Sequence, residues 1–197
     1  MDRSDPEAAL RTPDGVWRAT WESDARALIN DLALLHVHRV LWQDMMSALN
    51  EHAGHCDRTW EMHYTRLYID SQAMAIRRLV RSKSNDSHAS LCDLLLRAER
   101  RPDVMRRTPT SIQNDRRRLN QTVDAVVGWA DQAVAHIRLS PTFSQPDTRA
   151  LDEAIEVLAK IFREYFRIVA RIDMKLDHPL PSPRWRSAFY EPLFPAP

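Results

Sequence analysis

Residues 147–172 read DTRALDEAIEVLAKIFREYFRIVARI, and this stretch decides the fold class. Its apolar side chains recur every three or four residues, at Leu151, Ile155, Leu158, Phe162, Tyr165, Val169 and Ile172. That spacing places side chains on one face of an α-helix, so the stretch predicts an amphipathic helix of about six turns. Ser144-x-x-Asp147 resembles a capping box ahead of this helix, with Pro146 at the first helical position.

A second regular stripe precedes this helix. Thr108-Pro109 suits a helix start, and the regular stripe that follows comprises Ile112, Arg116, Leu119, Val123, Val126, Ala130, Val134 and Ile137. Gly128 interrupts this helix at a cost of about 1 kcal/mol relative to alanine, and Pro141 ends the helix. The two stripes predict an antiparallel helix pair at the centre of the fold.

Three further segments have helical spacing. The first begins at Trp21 and ends near Gly54, as one long helix or two in line. The second covers about 58–80, with a stripe formed by Trp60, Tyr64, Leu67, Tyr68, Ser71, Ala75 and Leu79. The third covers about 89–100 and turns Leu91, Leu94, Leu95 and Ala98 inward, with Ser87 as its N-cap. Together the segments predict an all-α protein, an up-and-down bundle of four to five helices.

The two ends of the chain differ from the bundle. Residues 1–16 are polar and show no period, which predicts a flexible lead-in, and residues 17–177 form the bundle. Six of the 12 prolines fall between Pro179 and Pro197, so residues 178–197 predict an extended tail. Aromatic residues interleave with these prolines, and we expect the tail to pack on the bundle through Trp185, Phe189, Tyr190 and Phe194.

Composition excludes several classes of protein. The 197 residues include only three glycines, which argues against glycine-rich phosphate loops and dinucleotide folds. The two cysteines form no CxxC pair or disulfide framework, which favours a reducing cytoplasm. No apolar run approaches the roughly 20 residues of a membrane span, so no membrane partner is expected.

Charge points to a class of ligand. The net charge is only +1, yet 25 of the 28 basic residues are arginine, whose planar guanidinium grips phosphate and carboxylate. A GC-rich genome explains an arginine excess equally well. Clustered arginines at Arg106, Arg107, Arg116, Arg117 and Arg118 predict a surface that contacts the RNA backbone; the alternative is a solvated helix face.

Few residues have the character of a catalytic centre. His136 lies near the predicted end of a helix, where a histidine also serves the helix dipole. Arg77 and Arg78 border the predicted core, and they suit either a phosphate site or an ion pair with Asp70 or Asp93. The histidines and cysteine that could bind metal, His36, His38, His52, His55, Cys56 and His63, lack a second matched pair of ligands, so no metal is predicted.

Several stretches together resemble one family. They are YIDSQAMAIRRL (68–79) with SLCDLL (90–95), AVAHIR (133–138), LDEAIEVLAKIFREYF (151–166) and the terminal W…FYEPLF (185–194). In their order and spacing they are similar to the HEPN superfamily of nucleotide-binding helical domains, and in particular to its U-type abortive-infection branch. The resemblance implies a helical bundle, a homodimer, and a role in bacterial defence or in a toxin–antitoxin pair with a cognate antitoxin protein.

The resemblance also implies a chemistry. Many members of the family are endoribonucleases that need neither metal nor cofactor, and they use an arginine and a histidine. His136 matches the histidine, which would activate a ribose 2′-OH as a general base. Trp129, Ala130 and Asp131 stand where the motif has its arginine, so the phosphate-holding cation would be Arg77, Arg78 or Arg138, or come from a partner chain. The alternative is a catalytically inactive HEPN-like module that binds RNA, a nucleotide or a protein partner.

Overall fold

The fold consists of helices. The computed structural model describes residues 12–51, 58–81, 89–134 and 142–174. These ranges contain six α-helices and one π-helical segment: α1 (Pro13–Glu51), α2 (Arg58–Val80), α3 (Leu91–Glu99), α4 (Pro102–Met105), α5 (Pro109–Trp129), the π segment (Ala130–Val134) and α6 (Thr148–Ala170). No strand occurs in them, which confirms the predicted all-α bundle. None of the helices described has the length and apolarity that crossing a bilayer requires.

Helix α1 begins earlier than its apolar period. The first helical residue is Pro13, so residues 13–16 are helical and do not belong to a lead-in. Thr12 explains the start, because its Oγ1 accepts from Gly15 N at 3.0 Å and its carbonyl accepts from Val16 N at 2.9 Å. Proline is tolerated in a first turn because its missing N–H would have no partner there. Residues 1–11 lie outside the described ranges, as does the predicted tail.

Helix α6 lies at the centre of the core. It runs antiparallel to α5, because Tyr165 near its end contacts Asp115 near the start of α5. It also runs antiparallel to α1, whose Arg39 pairs with Asp152 near the α6 start. Eleven of its side chains are buried: Leu151, Ala154, Ile155, Val157, Leu158, Ala159, Ile161, Phe162, Tyr165, Phe166 and Val169. The predicted stripe is therefore confirmed as far as Val169.

The predicted stripe fails at Ile172, which is 49% exposed. Helix α6 ends at Ala170, and Arg171 takes a left-handed conformation with φ of 58°. That change of direction turns Ile172 away from the face that the helical period assigns to it.

Helix α2 buries a face that overlaps the predicted stripe only in part. Trp60 is 55% exposed and Leu67 is 50% exposed, although both belong to the predicted stripe. Tyr68 and Leu79 of the predicted stripe are buried, and the other buried side chains of α2 are Ile69, Gln72, Ala73, Ile76 and Val80. Apolar residues occupy two adjacent faces of this helix, and packing against α1 and α5 selects the second. A periodic pattern alone does not distinguish two such faces.

The helix starts follow short polar side chains. Thr108 caps α5 as predicted, since its side chain accepts from Ser111 N at 3.2 Å. Helix α3 is capped by Ser90 and not by Ser87, which lies outside the described residues. Ser90 forms a capping box with Asp93, whose N–H donates to Ser90 Oγ at 3.2 Å. The box satisfies two backbone N–H groups that the helix itself leaves unpaired.

Helix α6 starts three residues later than the predicted capping box. Asp147 is its N-cap and accepts from Ala150 N at 2.7 Å, so Ser144 does not cap the helix. Pro146 precedes the cap instead of occupying the first helical position. An aspartate at the N-cap also places negative charge at the positive end of the helix dipole.

Packing explains why a glycine occupies position 128 of α5. A Cβ at this position would lie 2.6 Å from the ring of Phe143, which covers the helix surface there. The glycine in α5 therefore offsets its poor helix propensity by letting an aromatic ring approach the backbone.

Candidate functional site

The predicted catalytic residues divide into two groups. His136 and Arg138 lie outside the described residues, which stop at Val134 and resume at Thr142. Arg77 and Arg78 occupy the last turn of α2. The Arg77 side chain is 17% exposed, whereas Arg78 faces solvent. The helix thus carries one arginine against the core and the next one outward.

Asp131 organises the end of α2. This aspartate belongs to the π segment, and its two carboxylate oxygens accept from Arg77 Nε and from Arg81 Nη1. The Asp131 side chain is 21% exposed, so the arrangement is partly shielded from water. Short π-helical segments inside α-helices are frequent at functional sites.

The partner of Arg77 differs from both predicted carboxylates. Asp70 instead accepts from Trp129 Nε1 at 2.9 Å, and Asp93 belongs to the α3 cap. Only the crossing of α2 with the end of α5 brings Asp131 to Arg77, because the two residues are 54 positions apart. Arg77, Arg78, Arg81 and Asp131 form a charged cluster at the end of α2. Sequence reasoning missed two of its members, Asp131 and Arg81.

The cluster carries an excess of positive charge. Arg77, Arg78 and Arg81 stand against the single carboxylate of Asp131. Each guanidinium offers five N–H donors, and the aspartate engages one donor of Arg77 and one of Arg81. Further donors remain for an anion, which suits contact with a phosphate group.

Two of the five predicted RNA-contacting arginines serve the fold. Arg107 pairs with Asp115 at 2.9 Å and with Glu164 at 2.6 Å, and its guanidinium lies 5.1 Å from the centre of the Tyr165 ring. Arg116 lies 3.4 Å from Glu99. These cations are already neutralised, so they are poor choices for a surface that attracts phosphate.

The other three arginines that were predicted to contact RNA are accessible to a phosphate. Arg106, Arg117 and Arg118 are exposed. Arg117 donates to Asn114 Oδ1 at 3.3 Å, which leaves its charge intact. Within the part of the chain that the structure describes, none of the three forms an ion pair with a carboxylate. The first half of α5 and the turn before it thus carry positive charge without a carboxylate partner among the described residues.

The histidines and cysteines form no metal centre in the described ranges, where no three His, Cys, Asp or Glu side chains lie together as ligands. His52, His55 and Cys56 lie outside those ranges. Cys92 is a thiol whose Sγ donates to Asn120 Oδ1 at 3.4 Å. Burial, and then the charge of Asp93, raises the pKa of Cys92 to about 11. It is therefore a thiol and not a thiolate near neutral pH, which makes it a weak nucleophile.

Comparison with known proteins identifies no relative: no family model matches the chain, and no curated protein or solved structure is significantly similar to it. The class of protein is therefore defined by the fold and the surface. It is an all-α bundle with arginines left uncompensated on its described surface.

Proposed function

We propose that this chain is a HEPN-like RNA-binding protein that acts in the bacterial cytoplasm, in defence or with a cognate antitoxin. The observation that carries the proposal is the exposed set of Arg106, Arg117 and Arg118, which have no carboxylate partner among the described residues. RNA presents a row of phosphates, and arginines that neutralise them release counterions. Because the net charge of the chain is only +1, the attraction is local to this surface.

A second candidate function is metal-independent cleavage of RNA. It is favoured by Asp131 of the π segment, which holds Arg77 and Arg81 and lies five residues before His136 in the sequence. In this reaction His136 takes the proton of a ribose 2′-OH, and the oxygen attacks the adjacent phosphorus. The bond to the 5′-oxygen breaks, this oxygen takes a proton from water, and a 2′,3′-cyclic phosphate and a 5′-OH result. His136 then returns its proton to the solvent. An arginine cation stabilises the charge that develops on the phosphate.

One experiment tests binding and cleavage together. Labelled single-stranded RNA is incubated with the full chain in EDTA, and both retention and cleavage are measured. We expect the double variant Arg117→Gln/Arg118→Gln to bind at least about tenfold more weakly, with the salt dependence of log K reduced by about 1.4 for two lost phosphate contacts. The matched control, Arg149→Gln/Arg163→Gln, removes two exposed arginines elsewhere that also have no ion pair in the described ranges, and it should bind as the wild type does.

Cleavage is read in the same incubation. His136→Ala should abolish formation of cyclic phosphate ends while RNA retention is unchanged, and the exposed His63→Ala should cleave normally. Binding without cleavage by the wild type would select the inactive module. If the Arg117/Arg118 variant bound RNA as its control does, the proposed surface would be wrong.

We also propose that the chain is a homodimer, as the family resemblance implies. Two exposed apolar side chains share one face of α2 and suit such an interface, namely Trp60 and Leu67, which are 55% and 50% exposed. Light scattering at micromolar concentration should give twice the chain mass of 22.9 kDa. Trp60→Glu/Leu67→Glu should give the single mass with unchanged helicity, whereas a dimer that survives this change would place the interface elsewhere.

A further inference from the structure

A cleft of about 370 Å³ opens at the end of the bundle where α1 begins and α6 ends. Four arginines and three apolar residues line it: Arg18, Arg106, Arg167 and Arg171 with Val104, Met105 and Ile168. No carboxylate occurs among these lining residues. Volumes of this order are typical of small-molecule sites.

Arg18 forms a fixed base for the cleft. Its Nη1 donates to the carbonyls of Ile168 and Val169, each at 3.3 Å, and its Nη2 donates to the carbonyl of Val104 at 2.8 Å. The carbonyls belong to α4 and to the last turn of α6, where helical carbonyls lack partners and the helix dipole is negative. The guanidinium is therefore positioned by the backbone and not by a carboxylate.

The arginines of the cleft repel one another. Burial, and then the charges of Arg171 and Arg106, lower the pKa of the Arg18 guanidinium. Asp14 opposes this effect, but its carboxylate is itself held by Arg101. Arg106, Arg167 and Arg171 have no carboxylate partner within the described ranges. Four like charges therefore line the cleft, and none of the described residues that line it is a carboxylate.

Two of the four also occupy a costly backbone conformation. Arg106 has φ of 51° and Arg171 has φ of 58°, and among the described residues they are the only ones other than glycine with positive φ. They are the C-caps of α4 and α6. Glycine and asparagine suit a left-handed helix end, because a larger side chain is strained there. Strained backbone is concentrated at functional sites, so two strained residues that line the same cleft mark it as a candidate site.

We propose that this cleft binds a phosphate monoester. A monoester carries between about 1.5 and 2 negative charges at pH 7 and three strong acceptor oxygens, whereas a diester carries only one charge. Convergent guanidinium groups match such an oxygen-rich dianion, and its charge relieves their mutual repulsion. The apolar side chains Val104, Met105 and Ile168 provide contact for a sugar or base.

The phosphate has two possible sources, a free mononucleotide or the 5′-phosphorylated end of an RNA. Arg106 belongs both to this cleft and to the proposed RNA surface. Phosphate binding in the cleft does not require that RNA surface, since a free nucleotide alone satisfies the site. It goes beyond the proposed function, because backbone contacts to RNA involve diesters.

Calorimetric titration of the full chain with 5′-AMP, adenosine 3′,5′-cyclic monophosphate and adenosine tests the proposal. We expect 5′-AMP to bind at least about tenfold more tightly than the cyclic diester. Arg167→Gln should weaken 5′-AMP binding at least about tenfold, while the control Arg26→Gln leaves it unchanged. Equal binding of 5′-AMP and adenosine, no detectable binding of 5′-AMP, or wild-type affinity in Arg167→Gln would overturn the proposal.

A second variant separates binding from folding. Arg171→Gly removes one cleft cation at a position whose backbone favours glycine, so 5′-AMP affinity should fall while the melting temperature rises. A structural role for Arg171 predicts that both would fall, and that outcome would contradict the proposal.

Two RNA ligands that differ only at the 5′ end identify the source of the phosphate. A short RNA with a 5′-phosphate is compared with the same RNA bearing a 5′-OH. A preference for the phosphorylated end, lost in Arg167→Gln, supports an RNA end as the ligand, whereas 5′-AMP binding without that preference supports a free nucleotide. Because Arg117→Gln/Arg118→Gln leaves the cleft intact, loss of RNA binding in that variant with retained 5′-AMP binding would distinguish the two sites.

Discussion

Replacement of Trp21 by alanine is expected to lower the free energy of unfolding by about 3 to 5 kcal/mol. The Trp21 side chain is 1% exposed and joins α1 to the core. Its Nε1 donates to the carbonyl of Leu94 at 3.0 Å, and its ring stacks on Trp17 with centroids 6.5 Å apart. The substitution would leave a cavity the size of an indole and a buried carbonyl without this donor, and the two effects add.

Trp60 provides the matched control for this measurement. It is also a helical tryptophan, but it is 55% exposed, so Trp60→Ala should change the unfolding free energy by no more than about 0.5 kcal/mol in the monomer. Denaturant unfolding followed by circular dichroism compares the two variants at a protein concentration where the wild type is monomeric. Equal losses of unfolding free energy in the two variants would show that α1 does not pack on α3 as described.

Replacement of Arg107 by alanine is expected to cost about 2 kcal/mol of stability and to leave RNA affinity little changed. Arg107 bridges Asp115 and Glu164, and its side chain is only 19% exposed. Removing it leaves two carboxylates near each other without their cation and removes the contact with the Tyr165 ring. Breaking a fully buried pair costs about 3 to 5 kcal/mol, and the smaller value follows from the partial exposure of the carboxylates.

Arg117 is the comparison residue for Arg107. It lies in α5, which begins two residues after Arg107, but it is exposed and has no ion pair in the described ranges. Arg117→Ala should therefore change stability by less than about 0.5 kcal/mol while weakening RNA binding. Unfolding by denaturant and RNA retention, measured on the same preparations, give both quantities. If Arg107→Ala left stability intact and lost RNA affinity, the division of the arginines into structural and RNA-contacting ones would be reversed.

The local sequence pattern was sufficient to predict much of the fold. The stripes of α5 and α6 recur so regularly that their period identifies the core face, and the buried positions from Leu151 to Val169 agree with it. Thr108 was predictable as a cap because a cap depends on the next three residues only. The α2 face was not predictable, since Trp60 and Leu67 are as apolar as the residues that the neighbouring helices cover.

The candidate sites depend on residues far apart in the chain. The sequence by itself determined that the protein is all-α and arginine-rich, because helical period and composition are properties of short segments and of totals. Only the tertiary structure decided which arginines are neutralised, since Arg77 meets Asp131 across 54 positions. It also decided that Arg18 meets the end of α6 across 150 positions, where backbone carbonyls hold it beside Arg171. Ion pairs and clefts form between helices, and no local pattern encodes which helix faces pack together.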